Sequence, residues 1–216
     1  MVSSRKIFLC LIFVVSLVWA EEDVFRHPLA AQGMTTFNSI SANLAQNPII
    51  TGNFVQEKYL SRLGRSLRST GNFIITAKQG MVWETLRPFP STMVLGNDFI
   101  LQSRPDGRAS VLSAQGNETF TQMAAVLSSV FSGQSKRLLE NFEVYFSGSV
   151  SNWNIGLLPR DSIIASFVTK ITMNGDLTIR SIRIFEPNND VITYSLSNHS
   201  YPTALNAHEE AFFSIP

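Results

Sequence analysis

Residues 52–102 read GNFVQEKYLSRLGRSLRSTGNFIITAKQGMVWETLRPFPSTMVLGNDFILQ. Runs of aromatic, branched and thioether side chains begin at Gly52, Gly71 and Gly80, and Pro88 and Pro90 close the third run. Two shorter runs, 91–95 and 99–102, flank the sequence Gly-Asn-Asp, which is typical of a hairpin turn. The pattern predicts five consecutive antiparallel strands with no helix between them.

Alternation along these strands places one apolar set of side chains on the same face, because successive strand residues point to opposite faces. The predicted set is Phe54, Phe73, Ile75, Met81, Trp83, Met93 and Leu95. One interpretation is an ordinary packed core, which the pattern alone favours. The other is a wall that binds acyl chains. Burying each methylene contributes about 0.8 kcal/mol, and hence a sixteen-carbon chain on the order of 10 kcal/mol before entropic costs.

The first 20 residues are predicted to be a secretory signal peptide. Arg5 and Lys6 precede an apolar run over 7–18, and Ala20 is a suitable cleavage position. A retained membrane anchor is the alternative, but a spanning helix needs about 20 apolar residues. The single cysteine, Cys10, would leave with this segment, and 15 basic residues would remain against 16 acidic ones. That balance gives no electrostatic footprint for nucleic acid.

Two helices are predicted to pack against the strands. Phe37, Ile40 and Leu44 recur at helical spacing, with Thr35 or Thr36 as the cap and Pro48 as the stop. This first helix is either an ordinary packing helix or a movable cover, and the sequence leaves both open. A second helix is predicted between Asn117 and Gly133.

The C-terminal half continues as strands. The predicted strands cover 142–146, 153–157, 163–173, 177–185 and 191–197, with a hairpin at Asn174-Gly175-Asp176 and a bulge between Ile179 and Ile184. Together with 109–113, about eleven strands and two helices are expected. The predicted fold is mainly β (α+β), one strongly curved antiparallel sheet with helices on its concave side.

Motifs for catalysis are not found in the sequence. The run His208-Glu209-Glu210 lacks a second histidine at a metal spacing. Nucleophile-elbow, phosphate-loop and dinucleotide-binding patterns do not occur. The sequence therefore gives no support for an enzyme, and no metal or cofactor is expected.

The order and spacing of several short motifs resemble the LolA family of periplasmic lipoprotein carriers. They are Gly52-x-Phe54-x-Gln56-x-Lys58, Gly71-x-Phe73, Trp83 followed by Pro88, Gly96-x-Asp98, Trp153-x-Ile155-x-Leu157-x-Pro159-Arg160, Gly175-Asp176 and the closing strand 192–198. The resemblance implies a single domain over 21–216, an incomplete eleven-stranded β-barrel with helices as a lid over a hydrophobic cavity. It also implies a carrier that shields acyl chains of lipoproteins or other lipids between inner and outer membrane.

The resemblance also implies a set of lipid-contacting residues. These are the apolar wall above together with Phe37, Ile40 and Leu44 of the first helix, and Met81 falls where the family has an acyl-contacting aromatic residue. The family closes its lid with an arginine followed by proline after the second strand. Here Ala77 stands at that position, so Lys78 is the candidate lid-closing residue. This difference puts lipoprotein cargo specifically in question.

The partners implied are an acylated lipoprotein or lipid cargo, an inner-membrane donor complex and an outer-membrane acceptor, with no nucleic acid. The protein is expected to be a periplasmic monomer. The alternative hypothesis is a sensory or adaptor module of the envelope, which would use the same half-barrel to bind a lipid signal or a protein partner.

Overall fold

The computed structural model describes residues 24–96, 99–103, 106, 108–113 and 135–214. Within these ranges eleven strands form one antiparallel sheet. They are β1 (Ile49–Leu60), β2 (Arg65–Thr76), β3 (Gly80–Arg87), β4 (Ser91–Leu95), β5 (Phe99–Ser103), β6 (Ala109–Ser113), β7 (Phe142–Ser149), β8 (Asn152–Pro159), β9 (Lys170–Gly175), β10 (Ile179–Phe185) and β11 (Val191–Ser200). The described α-helices are α1 (Ala31–Leu44), α2 (Ser135–Asn141), α3 (Ser162–Ala165) and α4 (Ala207–Ala211), and 3₁₀ turns occupy Val24–Arg26 and Ser61–Leu63.

The sheet is open, because its two edge strands are not paired with each other. The strand order is β6-β5-β4-β3-β2-β1-β11-β10-β9-β8-β7. The prediction of an unclosed barrel of about eleven strands is confirmed. The segment before α1 lies along β7: Leu29 N–H donates to Val144 O at 2.9 Å, and Phe146 N–H donates to His27 O at 2.8 Å. This segment therefore pairs with part of the β7 edge.

The two faces of the sheet carry separate apolar clusters. The inner face is defined here by the cluster that contains Phe54, Trp83 and Trp153, and α1 packs against it. The outer face carries a smaller cluster on β2 to β5: Ile74, Val82, Val94 and Phe99. Leu205, Phe212 and Phe213 from the C-terminal segment pack against that outer cluster.

Two predicted elements have different bounds in the structure. The predicted strand 163–173 is wrong in its first part, where α3 forms and β9 begins only at Lys170. The reason is an N-cap: Asp161 Oδ1 accepts from Ile163 N at 2.7 Å and from Ile164 N at 3.4 Å. Helix α1 begins at Ala31 rather than near Thr35, and no side chain caps it. Met34, in the added turn, packs against the inner cluster, so tertiary contacts stabilise this turn.

The predicted hairpin and bulge in the C-terminal half are confirmed. Strand β9 ends at Gly175 and pairs with β10, and the register of this pair shifts between Ile179 and Ser181. Asp176 Oδ1 accepts from Thr178 N at 3.1 Å, which closes the turn. The predicted signal peptide and the predicted helix 117–133 lie outside the described residues.

Candidate functional site

The inner face has an aromatic stack at its centre. The ring of Trp83 stacks on Phe54 with centroids 4.7 Å apart and on Phe73 with centroids 5.7 Å apart. Tyr194, on β11, meets Trp83 edge-on at 5.1 Å. Because parallel-offset and edge-on contacts are both favourable for aromatic pairs, the four rings form one continuous apolar surface across β1, β2, β3 and β11.

Two glycines give these rings their space. Gly52 lies opposite Phe73, and Gly71 lies opposite Phe54 in the β1–β2 register. A Cβ at Gly52 would be 2.6 Å from Phe73 Cζ, and one at Gly71 would be 2.9 Å from Phe54 Cε1. Each ring therefore lies over the glycine on the neighbouring strand. At Gly71 the backbone carbonyl of Glu84 on β3 would be nearer still to a Cβ, so the close approach of the strand also requires glycine there.

All ten apolar residues predicted to contact lipid lie in one cluster. Nine are buried members: Phe37, Ile40, Leu44, Phe54, Phe73, Ile75, Met81, Trp83 and Leu95. Met93 is partly buried and packs against them. Helix α1 and the strand wall therefore contact the same interior. The role of these residues in binding lipid stays a prediction.

Lys78 lies outside this interior. It is exposed in the turn between β2 and β3. The neighbouring Ala77 N–H donates to Pro48 O at 2.9 Å, which holds this turn beside the connection between α1 and β1. Its role in closing the lid stays a prediction.

The predicted set omits the other half of the inner face. Strands β7 to β11 contribute the buried residues Phe146, Trp153, Leu157, Ile171, Met173, Ile182 and Leu196. Trp153 is completely buried, and its Nε1–H donates to Asp176 O at 2.6 Å. The same two-residue alternation would have identified them, since all but Leu157, which follows the buried Gly156, lie between exposed or partly exposed neighbours on their strands.

A small cleft lies beside the C-terminal end of α1. Its lining includes Leu44, Phe73, Ile179 and His199, and its free volume is about 20 Å³. That volume holds about one water molecule. The described side chains thus fill most of the space here, and an acyl chain can enter this part of the interior only if α1 or the wall moves.

Two titratable groups face this apolar interior. Burial lowers the pKa of His199, whose ring meets Phe73 edge-on at 5.6 Å, because removal from water disfavours the charged imidazolium. Burial, with a smaller contribution from the charge of Glu186, raises the pKa of Tyr194 to about 12. Both shifts have the sign expected of groups removed from water.

Tyr194 is expected to make the protein lose stability at alkaline pH. An unfolded tyrosine ionises near pH 10, so the folded state keeps its full stability below that value and loses roughly 2–3 kcal/mol as the pH rises through 12. Ultraviolet titration of the phenolates should show a late-ionising tyrosine that is missing in Tyr194→Phe. The variant keeps the other three tyrosines. If its titration curve, scaled per tyrosine, coincides with that of the wild type, Tyr194 does not ionise late.

Membrane-spanning and metal-binding features were sought among the described residues. None of their helices is both long and apolar enough to cross a membrane. Across the same residues no group of three or more His, Cys, Asp or Glu side chains is placed to hold a metal ion.

Comparison with known proteins gives a family match. The family model described as "Outer membrane lipoprotein carrier protein LolA-like" matches residues 30–199. This match covers α1, β1 to β10 and all of β11 except its last residue, Ser200. No curated protein matches the sequence significantly.

Several solved structures match this chain at low sequence identity. A DUF1329 family protein from Desulfovibrio piger has 8% identity and a TM-score of 0.47, covering 84% of this chain and 96% of that one. A LolA superfamily protein from Nitrosomonas europaea has 8% identity and a TM-score of 0.47, and the match covers 83% of this chain and 98% of that one. The Pseudomonas aeruginosa MucA/MucB complex contains a chain with 12% identity and a TM-score of 0.45, covering 86% of this chain and 62% of that one.

Proposed function

This chain belongs to the LolA-like family of outer-membrane lipoprotein carrier proteins, and on that premise we propose that it is a non-enzymatic carrier of acyl chains. The inner face of the half-barrel would shield the hydrocarbon of a lipoprotein or another lipid from water. The observation that supports this most is the single cluster formed by α1 and the aromatic wall. Such a surface offers a guest chain apolar contact on several sides.

The energetics of α1 fit a cover that can be displaced. Its N-terminus has no side-chain cap, and it has no acidic residue in its first turn and no basic residue in its last. A helix of 14 residues without these features is marginal in isolation. Its position therefore depends on the buried side chains of Phe37, Ile40 and Leu44, each worth about 1.5–3 kcal/mol.

An incoming acyl chain would replace those contacts by its own. Each methylene contributes about 0.8 kcal/mol on burial, so a long chain offsets the loss of the three side chains. The free volume of about 20 Å³ beside α1 is too small for an acyl chain, so the chain would need the space that α1 now fills. Loading and release would both involve movement of α1 relative to the wall.

The cellular setting belongs to the same proposal. The carrier would act in the periplasm after export, taking acylated cargo from an inner-membrane donor complex and delivering it to an outer-membrane acceptor. Lys78, at the turn beside the α1–β1 connection, would help to hold the cover closed.

The test is uptake of a fluorescent fatty-acyl probe by the purified full chain after delipidation. We expect saturable binding with an emission increase, competition by a lysophospholipid, and acyl lipid in mass spectra of the protein before delipidation. Absence of both uptake and co-purified lipid would overturn the carrier function. Stable capture of an envelope protein without any acyl uptake would instead favour the adaptor hypothesis.

A further inference from the structure

The outer face carries a row of three side-chain amides and one carboxylate that crosses four strands. Asn198 Nδ2 donates to Asn53 Oδ1 at 2.8 Å, and Asn53 Nδ2 donates to Asn72 Oδ1 at 2.8 Å. Asn72 Nδ2 then donates to Glu84 Oε2 at 3.1 Å. The four side chains form one directed chain of hydrogen bonds from β11 to β3.

The strand registers explain this row. Asn53 lies directly opposite Asn72, and Asn72 lies directly opposite Glu84. Asn198 joins them because the β1–β11 register shifts between Thr51 and Asn53, and Asn198 itself has a left-handed φ of 53°. Asparagine tolerates that conformation better than most residues, and the irregularity turns its amide to the outer face.

Much of the hydrogen-bonding capacity of the row is left for a ligand. A side-chain amide has two N–H donors and two acceptor lone pairs. In the bonds among the described residues, Asn53 and Asn72 each use one N–H donor and one acceptor lone pair. Glu84 uses one carboxylate oxygen. The remaining groups border a cleft with α4, of about 350 Å³, which lies within the range of small-molecule sites.

A second polar cleft lies further along the same face. Its free volume is about 440 Å³, and its lining is Ser151, Asn152, Asn154, Asn174, Gly175, Asp176 and Arg180. Asn154 and Asn174 lie directly opposite each other on β8 and β9. Both lie between inward-facing neighbours, so they share the outer face with Asn53.

Serine residues connect the two clefts. Asn174 lies opposite Ser181, Ser181 opposite Ser195, and Ser195 opposite Val55, two residues along β1 from Asn53. We define the amide belt as Glu84, Asn72, Asn53, Asn198, Ser195, Ser181, Asn174 and Asn154. It crosses from β3 to β8, which are six inter-strand spacings or about 29 Å apart.

The chemistry of the belt selects an uncharged ligand. The lining of the first cleft includes no lysine or arginine, so it offers neither of these cations to a phosphate or carboxylate. Its two carboxylates, Glu84 and Glu209, each already accept a hydrogen bond, from Asn72 Nδ2 and from Asn206 N–H. In the second cleft Arg180 is paired with Asp176. Amides and hydroxyls both donate and accept, as the hydroxyls of a sugar require. At one end Phe212 and His208 add aromatic rings, with centroids 5.0 Å apart, to the first cleft.

We propose that the amide belt binds a neutral carbohydrate chain along the outer face of the half-barrel. The two clefts would each hold sugar rings, and the serine residues would contact the stretch between them. This site lies on the face opposite the aromatic wall, so it does not rest on the proposed carrier function. The protein could hold a glycan and an acyl chain at the same time.

The test is a titration of the full chain with neutral oligosaccharides, using chitotetraose and cellotetraose as probes and following amide chemical shifts by NMR. We expect saturable shifts of the asparagine side chains of the belt with at least one probe. The double variant Asn53→Ala/Asn72→Ala should lower the affinity by about tenfold or more, since at least two hydrogen bonds are lost.

Two further variants keep the result interpretable. Ser195→Arg fills the middle of the belt without touching the amide row, and should also lower the affinity if the double variant folds poorly. Gln79→Ala, at an exposed turn away from the belt, should leave it unchanged. Wild-type protein that binds neither probe at 10 mM (roughly 10,000-fold above 1 μM) would overturn the proposal. Unaltered affinity in the belt variants, or preference for a cationic oligolysine, would each overturn it too.

Discussion

Replacing Trp83 by alanine is expected to lower the free energy of unfolding by about 3–5 kcal/mol. The indole is 6% exposed and contacts three rings, Phe54, Phe73 and Tyr194, so its removal leaves a large hole in the wall. Urea denaturation followed by far-ultraviolet circular dichroism measures the change. Since the aromatic stack connects four strands, the loss should affect one cooperative transition.

Phe89→Ala is the matched control for Trp83→Ala. Phe89 is also aromatic, but it is 70% exposed in the β3–β4 connection. Its truncation should change the free energy of unfolding by less than about 0.5 kcal/mol. Equal effects of the two substitutions would show that the aromatic stack does not stabilise the sheet.

Met93→Glu is expected to weaken binding of a fluorescent fatty-acyl probe by about 100-fold. A carboxylate facing hydrocarbon costs about 2.5–3.5 kcal/mol, and each 1.4 kcal/mol is a factor of ten in affinity. Met93 suits this test because it is only partly buried on the inner face, so the variant can fold with its charge near solvent. At the fully buried Met81 a charge would instead endanger the fold.

Thr172→Glu is the charge-matched control for Met93→Glu. Thr172 lies between the buried Ile171 and Met173, so it faces outward, and it lies opposite Arg183 in the β9–β10 register. Its substitution should leave the probe affinity within about twofold of the wild-type value. That corresponds to well under 1.4 kcal/mol, which is a factor of about ten. Wild-type affinity in Met93→Glu would mean that the acyl chain does not contact this part of the wall.

The inner face could be predicted from the sequence because strand alternation has a strict period of two. Once Phe73, Trp83 and Met93 are assigned to one face, Ile75, Met81 and Leu95 follow by alternation along β2, β3 and β4. The Gly-Asn-Phe sequences indicate the same face, since a glycine on one strand lies beneath a ring on the next. The number of strands follows from counting turns in the same way.

Short elements held by local capping were harder to predict. The apolar pair Ile163-Ile164 fits a strand as well as a helix, and only the bond from Asp161 decides between them. Helix α4 has a capping box, in which Asn206 and Glu209 each accept from the other's backbone N–H. That motif was visible in the sequence, and it shows that Glu209 caps a helix next to His208.

The cleft and the amide belt could not be predicted from the sequence. Whether side chains fill an interior depends on the tilt of α1 over the wall, which no local pattern specifies. The belt depends on register between strands distant in the chain, as for Asn53 and Asn198. Its left-handed residue reverses the alternation at the end of β11, so a period of two assigns Asn198 to the wrong face.

The strand order also has a consequence for how this chain reaches its native state. Among the described strands, every pairing joins consecutive strands except that of β1 with β11. Strands β1 to β6 and strands β7 to β11 are thus two meanders that can form from local contacts, and loop-closure entropy opposes only their union. Lys58 with Glu186, and Ser61 with Asp190, connect the meanders at this junction. The inner face becomes continuous only when β1 pairs with β11. A nascent chain that lacks β11 therefore exposes the apolar side chains of β1 to β6 without the strands that continue this face.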